Sequence, residues 1–184
     1  METEKRFLWL DMEMTGLDSY TDSILELAVV ITDMNLNPLD EGMNLVIHHP
    51  SEVLNTMDEW NQTTHHSTGL IDRVLKSKWS LQAAEEHLLQ YTKKFFPEKT
   101  APICGNTIWQ DRMFLLRYMP KLNGYMHYRN IDVSSLKELV LCWYPKIPPF
   151  QKKQTHTALS DIFESIAELK YYREFFFRTN NELP

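Results

Sequence analysis

A nine-residue β-branched run, Ile24 to Thr32 (ILELAVVIT), decides the first third of the fold, because it reads as a strand and is flanked by two more. Phe7 to Met12 before it is apolar and bounded by charge, and Asn44 to His48 (NLVIH) after it is a short third run. Turn residues at Asn35 to Pro38 and Asp40 to Gly42 lie between them. Three consecutive strands on short connections are therefore expected to open the chain.

Beyond them the period changes. Leu81, Ala84, Leu88, Leu89, Tyr91, Phe95 and Phe96 recur near helical spacing, with Gln82, Glu85, Glu86, Lys93 and Lys94 available for a wet face. Pro102 to Asn106 (PICGN) reads as a short buried strand, Asp111 to Met119 as a helix stopped by Pro120, and Asn130 to Val133 as a strand. Ser135 and Glu138 have capping-box spacing ahead of a helix to about Trp143, and Thr157 to Phe177 is a long amphipathic helix. Strands first, then alternating strand and helix, predict an α/β fold with a mixed central sheet flanked by helices. No repeat or flexible linker divides the chain, so residues 1–184 are expected to form one domain.

Composition narrows the class. With 43% hydrophobic residues, nine Pro, five Gly and two Cys, the chain is neither disordered, collagen-like nor disulfide-stapled. A formal charge of −6 lacks the basic field of proteins that bind long nucleic acids, so a nucleic-acid partner should be short. Cys104 and Cys142 both sit in apolar sequence and are expected to be buried, reduced thiols. The start, METEKRFLWLDMEM, lacks a signal-peptide core, and no apolar stretch approaches the roughly 18 residues of a membrane span, so a soluble cytoplasmic protein is expected.

Three acidic segments carry the chemistry. Asp11 and Glu13 are two apart on a strand, so both carboxylates share one face and can converge on a cation near the strand's C-terminal end. Asp111 follows the PICGN strand, and His156 precedes Asp161 in HTALSD. Taken singly, each also fits a bland part: solvated strand acids, a helix-start acid, a cap. Together, four carboxylates without a nearby Cys suit hard divalent ions such as Mg²⁺ or Mn²⁺ and phosphodiester hydrolysis at a two-metal site. The pairs His48/His49 and His65/His66 lack zinc-ligand spacing, and Lys146, Lys152 and Lys153 read as a solvated charge cluster.

These segments resemble the DEDDh branch of the DEDD 3′-to-5′ exonuclease superfamily. Within it, WLDMEMTGLD, MDEWN, STGL, PICGN with QDRMFL, MHYRNIDVSSLKEL and HTALSDIFESIAELKYYRE are similar to the oligoribonuclease family. The resemblance implies an RNase H-like fold and two divalent cations, with Asp11 bridging both. Glu13 and Asp161 would complete the first metal site, and Asp111 would support the second. His156 would be the general base that deprotonates the attacking water. It further implies that Leu17 wedges between bases, Trp60 stacks on one, and His65 contacts substrate. Thr107, Ser134, Arg129 and Lys137 would hold the 5′ phosphate. Tyr128 would reach across a homodimer interface into the partner's site. The implied substrates are short RNA oligonucleotides, finally dinucleotides. Thr107 stands where many relatives have Ser, and Trp109 where they have a smaller or polar residue. Two other readings stand beside this one: a general DEDDh exonuclease on longer RNA or DNA, opposed by the net charge, and a non-catalytic RNA-binding member, opposed by the filled catalytic positions.

Overall fold

The computed structural model describes residues 5–152 and 157–177. Its elements in chain order are β1 (Phe7–Met14), β2 (Ile24–Thr32), β3 (Met43–Val46), α1 (Ser51–Leu54), α2 (Glu59–Ser67), α3 (Leu70–Lys76), α4 (Leu81–Lys93), β4 (Ile103–Gly105), α5 (Ile108–Tyr118), α6 (Pro120–Tyr125), β5 (Asn130–Asp132), α7 (Val133–Trp143) and α8 (Ala158–Phe176). The sheet order is β3-β2-β1-β4-β5. The first three strands form an antiparallel meander, and β4 and β5 add parallel to β1. This is the mixed α/β sheet expected from the strand pattern.

All nine residues of β2 are buried, because the strand is paired on both edges and covered on both faces. Along β1 the alternation is strict. Leu8, Leu10 and Met12 join Leu88, Phe114, Leu115 and Leu122 in the core under α4, α5 and α6. Trp9 faces the other way, with Ala28, Val30, Ala158, Ile162 and Ile166 under α7 and α8. Asp11 and Glu13 share the parity of Trp9, so the sheet delivers both acids to the side that α8 covers. A smaller cluster of Leu25, Leu54, Met57, Leu70, Ile71 and Val74 seats α1 to α3 at one end.

Several expectations are corrected. β1 runs on to Met14, since Glu13 still pairs with Glu26 before the register breaks. α5 starts three residues before Asp111, and Pro120 does not simply stop it but opens α6 from that helix's first turn. Glu85 is buried rather than wet: its Oε1 accepts from the backbone N–H of Lys121 (2.7 Å) and Leu122 (3.1 Å), donors at the start of α6 that have no acceptor within the helix. Ser135 and Glu138 are not a capping box, because α7 begins earlier and is capped by Asp132, whose side chain accepts from Ser134 N at 2.9 Å. Cys104 is buried as expected, but Cys142 is exposed on α7.

Candidate active site

Three elements meet at the C-terminal end of β1. The strand presents Asp11 and Glu13, α5 presents Asp111 from its first turn, and α8 presents Asp161 from its first turn. Asp11, Glu13 and Asp161 each offer a carboxylate oxygen, and these atoms all lie within 4.8 Å of one another. Asp111 is buried beside them and accepts a backbone hydrogen bond from Met12.

Such crowding is costly for free anions. Burial, then the charges of Asp111, Glu13 and Asp161, hold Asp11 well above the usual carboxylate range. Burial and the charges of Asp161, Glu26 and Asp111 push Glu13 up to about 8. Burial likewise raises Asp111. The donor set is oxygen alone, half-buried and mutually repelling, which fits a hard divalent cation and nothing softer.

Two cations temper the repulsion, and reading the sequence missed both arrangements. Glu26, fully buried opposite Glu13 on β2, is held by the Arg73 guanidinium and by Asn44 Nδ2 at 2.8 Å; Arg73 lowers the Glu13 pKa from there. Lys152 lowers that of Asp11. Its ammonium lies 3.0 Å from Glu168 Oε2, a carboxylate buried in α8, so Lys152 belongs to a half-buried ion pair and not to a solvated cluster. These partners are remote in sequence and share no motif, which is why spacing gave no sign of them.

The other expected site residues divide by place. Leu17 (74% exposed) follows β1, its carbonyl accepting from Gln110 Nε2 at 2.5 Å, and Trp60 (63% exposed) stands on the first turn of α2, which Asp58 caps. Both project to solvent, where bases could reach them. His65 is only 1% exposed: its Nε2 donates to the Met14 carbonyl at 2.9 Å and its Nδ1 is 4.0 Å from Glu13 Oε2. It therefore lies against Glu13 rather than on an open face.

Thr107 and Ser134 meet at the entrance to α5 and α7, Thr107 N donating to Ser134 Oγ at 2.9 Å and to Asp132 Oδ1 at 3.0 Å. These bonds hold Thr107 at φ 51°, a conformation unfavourable for a β-branched residue. Lys137 is exposed on the next turn of α7.

Tyr128 and Arg129 are not brought to the acids. They precede β5, which runs parallel to β1, so they stand at the opposite end of the sheet from Asp11 and Glu13. Tyr128 is 73% exposed, with His127 stacked on it at 4.5 Å and Arg129 Nε donating to its hydroxyl at 3.1 Å. Trp109 projects outward beside Leu17, Tyr20 and Met113, along an open groove of about 480 Å³. His156 lies outside the described residues.

Comparison with known proteins gives concordant results. The exonuclease family model RNase_T matches residues 8–169. An oligoribonuclease of Ralstonia nicotianae is 52% identical over 184 residues, covering 100% of this chain and 84% of that protein. One from Pseudomonas aeruginosa PAO1 is 49% identical over 179 residues, covering 97% and 99%. Among solved structures, exonuclease I of Methylocaldum szegediense superposes with a TM-score of 0.72 at 17% identity over 93% of this chain. Escherichia coli exonuclease I in complex with an oligonucleotide superposes with 0.71 at 16% over 94%. The chain spans only 41% of each exonuclease I chain, and that likeness speaks for the fold alone.

Proposed function

The chain belongs to the RNase_T exonuclease family and, within it, to the oligoribonucleases, and from that membership we propose a metal-dependent 3′-to-5′ exoribonuclease that takes fragments of a few nucleotides, down to dinucleotides, to nucleoside 5′-monophosphates. The observation that carries this reading is the convergence of Asp11, Glu13 and Asp161 within 4.8 Å at the end of β1, with Asp111 buried alongside.

Asp11, Glu13 and Asp161 would hold one divalent cation, and Asp11 with Asp111 a second. Two bound Mg²⁺ or Mn²⁺ ions supply Lewis-acid polarisation of the scissile phosphate and acidify the attacking water. The protein does the rest. Leu17 parts two bases, and Trp60 stacks on one, contacts that are tolerant of sequence. His156 takes the proton of the attacking water on its neutral imidazole. Thr107 and Ser134, with Lys137 exposed beside them, receive the 5′ phosphate, and a binding point at the cap of the helix whose first turn carries Asp111 favours short chains.

The working unit in this reading is a homodimer in which Tyr128 and Arg129 of one protomer complete the partner's site. Their placement at the far end of their own sheet supports it, as do the exposed apolar residues Leu139, Leu141 and Trp143 on α7. Residues 1–184 act as one exonuclease domain, a reading supported by the reach of the family match over residues 8–169. No described helix is long and apolar enough to cross a membrane. The compartment we propose is the cytoplasm, where the exposed thiol of Cys142 stays reduced.

The test is a time course on 5′-labelled RNAs of two, seven and about twenty nucleotides, with Mg²⁺, Mn²⁺ or chelator. Rapid, metal-dependent loss of the dinucleotide with a persistent long RNA is expected. Equal cutting of all lengths would replace the reading with a general exonuclease, and no cutting under either metal would leave an RNA-binding protein.

A further inference from the structure

Glu168 is 1% exposed and is not one of the four site acids assigned above. Among the described residues three donors converge on it: Lys152 Nζ at 3.0 Å, Tyr172 Oη at 2.8 Å and Asn106 Nδ2 at 3.1 Å. A carboxylate only accepts hydrogen bonds, so Asn106 must turn its NH₂ toward α8. Ser165 imposes the same choice. Its single proton goes to the Asp161 carbonyl at 2.8 Å, so toward Asn106 Nδ2, 2.7 Å away, it can only accept.

With both N–H groups committed, Asn106 Oδ1 faces Ser134 Oγ at 3.0 Å, and Ser134 spends its single proton there. The remaining lone pairs of Ser134 accept from Thr107 N at 2.9 Å and face Thr107 Oγ1 at 3.1 Å. Every bond in the chain thus points inward, from Thr107 through Ser134 and Asn106 to Glu168. Only the outermost hydroxyl, that of exposed Thr107, can redirect its proton to a ligand without breaking the chain.

We propose that Asn106, Glu168 and Lys152 are positioning residues of the terminal-phosphate subsite, fixing the chain's direction so that Thr107, not Ser134, offers its hydroxyl proton to the substrate's 5′ phosphate. This rests on the reading that Thr107 and Ser134 receive that phosphate. The same unit ties the turn before α5 to α8, joining the subsite to the helix that carries Asp161.

The experiment compares kcat/KM on a dinucleotide with and without a 5′ phosphate, and the ratio of the two is the readout. In the wild type the phosphorylated dinucleotide is preferred. Thr107→Val is expected to lower the ratio about tenfold, the size of one hydrogen bond to a charged group. Thr107→Ser retains it, and Ser134→Ala lowers it less than Thr107→Val. Glu168→Gln, which gives Asn106 a partner able to donate and so frees its amide to turn, lowers the ratio as well.

Melting temperature separates positioning from folding. Glu168→Gln leaves the Lys152 ammonium without its partner and melts earlier, while Lys152→Met/Glu168→Gln removes both charges and recovers. The ratio stays low in the double variant. A larger loss in Ser134→Ala than in Thr107→Val, or equal slowing of both substrates by Glu168→Gln, overturns the inference while leaving the subsite standing. A wild type indifferent to the 5′ phosphate removes the subsite itself.

Discussion

Glu13 escapes the repulsion of its neighbours in the metal-free protein by holding a proton, which it gives up as pH rises through about 8. Its folded pKa of about 8 lies above the ordinary 4.5, so between those values the folded state holds a proton that the unfolded state has lost. The stability associated with this group is complete below about pH 4.5 and is lost as pH rises toward about 8. The melting temperature of chelated protein is therefore expected to fall across that window, and Mg²⁺ or Mn²⁺ to restore it most at the alkaline end. A chelated protein that melts higher at pH 8 than at pH 5 would contradict the assignment. Trp60 makes a simpler case: Trp60→Ala should raise KM for a dinucleotide by about ten- to a hundredfold, the value of one base stack, with an unchanged melting temperature because the ring is exposed. At this scale the acids were legible, since a spacing of two on a strand puts carboxylates on one face. The Glu26–Arg73 and Asn106–Glu168 partnerships, 47 and 62 residues apart, were not, because neither obeys a local period.

Elements with a sustained period declared themselves. α4 and α8, of 13 and 19 residues, showed apolar stripes long enough to read, β2 stood out by its β-branched run, and β1 and β3 by short apolar runs on either side of it. The four-residue α1 and seven-residue α3 were invisible, because so few turns present no stripe, and α2 carries polar residues nearly throughout. Pro120 stops α5 as expected, and α6 went unread for a definite reason: Glu85 supplies the acceptor that lets a second helix begin there, and that acceptor comes from a different element. Glu85→Ala should accordingly cost about 1–3 kcal/mol in urea denaturation by stripping one buried and one part-buried donor of their partner. A change under half a kcal/mol, the usual size for a surface site, would show that α6 does not depend on this contact.

Over the whole molecule, parallel strands separate what the proposed reaction would need together. The acids lie at the C-terminal end of β1 and Tyr128 before the N-terminal end of β5, so one chain does not close its own site in the dimeric reading. Asp11→Ala and Tyr128→Ala are each expected to be severely impaired as purified homodimers. Mixed after dissociation and reassociation, they should regain activity, because the heterodimer holds one site with intact acids from one protomer and an intact tyrosine from the other. Continued inactivity of the mixture, with heterodimers demonstrated by mass, would refute the shared site. The direction of a three-residue strand then has a genetic reading: two alleles that each encode a dead enzyme could complement in one cell, whereas two defects on the same allele could not be rescued by another copy of it.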